Sequence, residues 1–253
     1  MSNEAVRKVL WWLCLLVAPL VLVVLELFHP AGFTQSPGMY QYLSEPQPYR
    51  PEFKALAYWG PEWWFTLHMI QTPMVGLVAV GLWLMAGRID RRHGTAAVAL
   101  AWLGRVATFV FLIYYTALDS IGGSGLGRAI LNTEAMVADG ELSPDQLQGV
   151  IAVLDTNWVD PWVGGVGSCI SLTGSWAAFF AALFVGLALL VAKRAPWPAL
   201  ILLVAFGWEL QMSHTMPHGP IAFALLIVSA LWIWWAERKG GGKAAFGVSS
   251  EVR

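Results

Sequence analysis

Apolar residues in this chain gather into closely spaced runs, several of them roughly 20 residues long, divided by short polar stretches. A run of that length crosses a hydrocarbon core of about 30 Å, and inside a bilayer every backbone N–H and C=O must be paired within its own segment. The pattern therefore predicts helices over 9–28, 62–86, 96–119, 162–192, 197–213 and 220–236. The third has room to continue past Asp119 into a Gly-rich stretch, and the fifth is short for a full crossing. The expected fold is an all-α, polytopic integral membrane helix bundle of about six transmembrane helices, one domain over residues 1–239.

Composition agrees: 57% of the residues are hydrophobic, 12% are charged and the mean hydropathy is +0.60. This excludes an ordinary soluble domain, and no nucleic-acid partner is expected. Cys14 and Cys169 both fall inside predicted helices and read as small apolar residues.

The net charge of −1 conceals a sidedness. Arg7, Lys8, Arg88, Arg91, Arg92, Lys193, Arg194, Arg238, Lys239, Lys243 and Arg253 fall on one side of the predicted spans, with only Arg50, Lys54 and Arg128 on the other. Retention of Lys and Arg in the cytoplasm orients the chain N-in/C-in. No small-x-small cleavage site precedes His29-Pro30, so the first helix reads as uncleaved. The expected location is a plasma membrane, bacterial, with a disordered cytoplasmic tail over 240–253.

Two outer segments, 30–61 and 128–161, are long enough to hold structure. In the second, Ser143-Pro144 with Gln146 three residues after the serine is the N-terminal signature of a short helix covering about 144–154. Its apolar residues recur at helical spacing, which lays it along the bundle mouth.

Polar residues within the spans carry the candidate chemistry. Arg105, Thr108, Tyr115, Thr116 and Asp119 share one face of the third helix, which must look onto protein or water. Arg105, near mid-membrane, calls for a partner: Glu209, Glu26 or a freed carbonyl. On the second helix His68, Gln71 and Thr72 precede Pro73, which leaves the Met69 carbonyl without its usual donor. The last two helices meet at Glu209 to Pro220, where His214 and His218 are four apart; Pro217 and Pro220 favour a tight turn there over a continuous helix.

Four of the five histidines, His29, His68, His214 and His218, thus fall near one end of the predicted helices, together with the carboxylates Glu26, Asp119 and Glu209. Imidazole with carboxylate suits zinc, iron or copper, and Met69, Met212 and Met216 beside the histidines tilt the choice toward copper. The expected ligands are His68, His214 and His218. Asp119 is expected as a ligand or base, and Glu209 as a proton-handling group or the partner of Arg105. Glu26 and His29 stand close by.

The histidine of the second helix, the aspartate of the third and the late His-x-x-x-His resemble the zinc hydrolases of the alkaline ceramidase and adiponectin-receptor type, a multi-helix membrane fold. The resemblance rests on His68, Asp119, His214 and His218. It departs from that pattern at Trp64, where those enzymes carry serine, and in having six predicted helices, not seven. It implies zinc-dependent hydrolysis of a lipid amide.

Three function classes follow. The leading one is a metal-binding membrane protein or metal-dependent membrane enzyme, hydrolase or oxidoreductase, with zinc or copper and a lipid-like or small-molecule ligand. A proton-coupled or metal transporter would use the same groups as a relay. A non-catalytic assembly subunit would leave the carboxylates dispensable.

Overall fold

The computed structural model of the protein describes residues 3–30, 38–44, 60–87 and 89–244. Most of the outer segment 30–61, including Arg50 and Lys54, lies outside the described residues, as do Arg88 and the end of the tail from residue 245. Among the described residues there are eight helical rods, long or short, one 3-10 turn at Arg91–His93 and no strand: α1 (Glu4–Leu27), α2 (Met39–Ser44), α3 (Gly60–Ala86), α4 (Thr95–Ala138), α5 (Pro144–Trp158), α6 (Cys169–Val191), α7 (Trp197–Met212) and α8 (His218–Ala244). Five of them, α1, α3, α4, α6 and α8, are long and apolar enough to cross a membrane. Each carries large apolar side chains on its outer face, such as Val106 at 59% and Phe109 at 56% exposed. A protein with such a perimeter needs lipid as solvent.

Three expectations are refined. The third predicted helix runs on to Ala138, because the Gly-rich stretch Asp119–Gly125 forms a π-helical segment that widens the turn without ending the helix. The fourth begins at Cys169 and not near residue 162: Gly167 adopts φ +90, and Ser168 caps the helix by accepting from the Ser171 N–H. The fifth, α7, has 16 residues and so rises about 24 Å, less than a full hydrocarbon core.

The bundle is held by close helix contact. Between α4 and α6, a Cβ on Gly104 would lie 2.9 Å from Val185, and one on Gly174 would lie 2.9 Å from the Tyr115 backbone. Small residues let these two backbones approach, as membrane interfaces require where lipid is as apolar as the core. Outside the spans, α5 has the expected capping box, Ser143 accepting from the Gln146 N–H while Gln146 accepts from the Ser143 N–H. Its residue Leu154 packs with Met39, Tyr42 and Leu43 of α2, Trp64 of α3 and Ile130 of α4 in a second small core above the bundle.

Candidate metal centre

His29 lies just past the end of α1, His68 sits two turns inside α3, and His214 stands in the turn between α7 and α8. Three chain segments distant in sequence thus bring three imidazoles together, with one ligand nitrogen from each lying within 4.8 Å of the others. The His29 and His214 Nε2 atoms are 3.3 Å apart. Two nitrogens bound to one tetrahedral zinc at 2.0–2.1 Å stand about 3.3–3.4 Å apart, so this pair already has the spacing of co-ligands.

Backbone carbonyls fix two of the rings. His29 Nδ1 lies 2.7 Å from the Pro30 carbonyl, and His68 Nδ1 lies 2.7 Å from the Trp64 carbonyl. A carbonyl only accepts, so each Nδ1 carries the proton and each Nε2 presents a lone pair. Such an outer hydrogen bond is what orients a metal-ligating histidine. His29 and His68 are almost fully buried. Burial, with the neighbouring His214 and His68 rings, holds the His29 imidazole well below its ordinary range, and burial lowers His214 to about 4. Both are therefore neutral, the form that binds a metal.

The π-helical segment of α4 shapes the opposite wall. Trp64 Nε1 donates to the Gly122 and Gly123 carbonyls at 3.2 and 3.1 Å, fastening this segment to α3. A Cβ on Gly123 would fall within the space of the His68 ring, so only glycine fits there. Asp119, at the start of the segment, accepts from Gln71 Nε2 at 3.2 Å through Oδ1. Its Oδ2, both oxygens of Glu26, and the Tyr115 hydroxyl are buried with no hydrogen-bond partner. The Tyr115 ring lies 5.9 Å from that of His214. A Cβ on Gly219 would run into the His214 carbonyl and come within 3.1 Å of the Glu26 Cβ, so the start of α8 packs closely against both.

His29, His68, His214 and Asp119 line a cavity of about 580 Å³. Trp64, Trp158, Leu118 and Val166 give it apolar walls and Asp160, Ser168, Ser213 and Thr215 polar ones, while Glu26 and Tyr115 lie outside its lining. Its volume is that of a site for a small molecule or a lipid headgroup.

The remaining expected site residues lie elsewhere. His218 Nδ1 bonds to Glu209 Oε2 at 2.7 Å, and His218 is not part of the three-histidine cluster. Residues 213–217 form a turn, so His214 and His218 do not share a helical face. Arg105 donates to the Ala86 carbonyl at 3.0 Å and lies over the Trp102 ring at 4.8 Å, at the end of the bundle away from the histidines. A helical side chain leans toward the N-terminus of its helix, which carries this guanidinium to the carbonyls ending α3. Met69 and Met212 are each 53% exposed and absent from the cavity wall. The sequence signal for His29 is its place three residues after Glu26 and just before Pro30; Trp64 and Trp158 carried no signal beyond the general abundance of interfacial tryptophan.

No family model, curated protein or solved structure matches the chain.

Proposed function

We propose that this membrane protein holds a zinc ion on His29, His68 and His214, with the open side of the ion facing the cavity. The observation that carries this reading is the set of three convergent, neutral imidazoles beside buried carboxylate oxygens that lack any partner. Three neutral histidines and a divalent cation carry two positive charges, which ionised Glu26 and Asp119 would cancel. In a low-dielectric interior that balance offsets part of the cost of burying these charges, which would otherwise be unpaired. Imidazole donors suit zinc and copper alike, and with Met69 and Met212 exposed and neither they nor Met216 lining the cavity, the reason to prefer copper is weakened.

A three-histidine site with an open position is the arrangement of catalytic zinc, which supplies Lewis-acid activation of water or of a carbonyl when bound. Asp119, held by Gln71 through one oxygen, keeps the other available as a general base. The cavity walls, part indole and part hydroxyl, suit an amphiphile, so the proposed activity is hydrolysis of a lipid-like substrate. The protein is proposed to sit in a bacterial plasma membrane, with α7 completing six crossings, both termini in the cytoplasm and the histidines near the outer leaflet.

Elemental analysis of the purified protein tests this. About one equivalent of zinc is expected, falling to near zero in His29→Ala, His68→Ala and His214→Ala. A wild-type protein that stays metal-free after loading with zinc, copper and iron, while its helices remain folded, would refute it. A second reading, a proton-coupled or metal transporter, is favoured by one observation, the unpartnered oxygens of Glu26 within the first span. Zinc or proton flux into proteoliposomes that stops in Glu26→Gln would select it.

A further inference from the structure

The opposite end of the bundle holds a second cavity of about 230 Å³, independent of the histidine cluster. It lies near the start of α1, about 33 Å along that helix from His29. Four cations border it: Arg7 and Lys8 from α1, Arg194 after α6, and Arg238 from α8. Among the described residues, two carboxylates, Glu4 and Glu237, stand with them.

The chain aims these groups with some care. Lys193 adopts φ 54, and the Arg194 N–H returns to the Leu189 carbonyl at 2.9 Å, an αL turn that ends α6. That turn directs the Arg194 guanidinium across to α8, where Nη2 pairs with Glu237 Oε1. Arg194 lines the pocket, and its Nη1 is buried with no hydrogen-bond partner. The Arg238 guanidinium lies 3.8 Å from the centroid of the Trp234 ring. Trp11 and Trp234 line the pocket, and Trp12 packs edge-on against Trp234 at 5.0 Å, an aromatic belt that sets this level at the headgroup boundary of the bilayer.

A pocket with two surplus positive charges and an orphaned buried guanidinium donor, placed at headgroup depth between α1, α6 and α8, calls for an anion delivered by the membrane. We propose that it binds the phosphate of an anionic phospholipid from the leaflet on the basic side of the protein. Arg7, Lys8, Arg194 and Arg238 surround the phosphate with positive charge, a small turn of the Arg194 guanidinium brings its unpartnered Nη1 to a phosphate oxygen, and the indoles pack against the glycerol and upper acyl carbons.

Native mass spectrometry of the detergent-purified full chain tests this with phosphatidylglycerol and phosphatidylcholine of identical acyl chains. A lipid adduct preferring phosphatidylglycerol is expected, and the preference should fall about fivefold for each cation removed in Arg7→Gln, Lys8→Gln and Arg238→Gln. The double variant Arg91→Gln/Arg92→Gln, at exposed basic residues outside the pocket, should keep it. Equal binding of the two lipids by the wild type overturns the proposal, as does a preference that survives loss of Arg7, Lys8 and Arg238 together. Inorganic phosphate supplies the remaining arm. If millimolar phosphate displaces the lipid adduct, the pocket serves a soluble anion and the lipid assignment fails; an adduct indifferent to phosphate supports it.

Discussion

Replacing His29 by alanine separates the cluster found in the structure from the His-x-x-x-His pair suggested by the sequence. His29 supplies the Nε2 atom 3.3 Å from that of His214, so its loss leaves two imidazoles, His68 and His214, for the ion. Zinc bound by four ligands is worth about 10–16 kcal/mol, or about 2.5–4 kcal/mol per ligand, so His29→Ala should weaken zinc binding by about two to three orders of magnitude. His218→Ala removes a ring whose Nδ1 is committed to Glu209, and should weaken zinc by less than about tenfold, the lower limit for an outer partner. The assay is competition for zinc between each purified variant and a chromogenic chelator of known affinity, with circular dichroism confirming the helices. Equal losses in the two variants, or full affinity in His29→Ala, would refute the assignment of ligands.

Gly123→Ala places a methyl group where the His68 ring sits, so zinc content should fall as far as in His68→Ala while helix content is kept; retained zinc would mean that the ring has room to move. Arg105→Leu loses a charge-assisted hydrogen bond and an indole contact but strands no carboxylate, so a cost of about 1–3 kcal/mol is expected, read as a lower Tm with zinc content unchanged. Because burial keeps His214 near 4, against 6.5 in an unfolded chain, the unfolded state alone takes up this proton between those values. The His214 contribution is therefore full above pH 6.5 and declines toward pH 4, by up to about 1.4 kcal/mol per pH unit, so the Tm of metal-stripped wild type should fall more steeply with acid than that of His214→Gln. For the proposed topology, in a background of Cys14→Ala and Cys169→Ala, an impermeant thiol reagent outside the cell should label a cysteine at Glu141 and not at His93; the reverse pattern would invert the orientation.

Hydropathy alone fixes the helical class, because a bilayer leaves the backbone few other ways to pair its polar groups. The Ser143-Pro144 cap of α5 and the turn imposed by Pro217 were likewise legible, since capping and proline restrictions act over four residues or fewer. Depth was legible too: counting along each apolar run puts His29, His68, His214, Glu26 and Asp119 near one end of the bundle. Depth does not fix azimuth. Which faces of α1, α3 and α4 look inward depends on helix rotation and on the π-helical segment at Asp119–Gly125, whose wider turn carries Gly122 and Gly123 against Trp64 and His68. Azimuth decided that His29 joins His68 and His214 while His218 turns to Glu209, and that Arg105 reaches the Ala86 carbonyl and no carboxylate. Partners 39 and 146 residues apart, as His29 and His68 and then His68 and His214 are, meet only through packing between helices, and no local rule of sequence encodes that rotation.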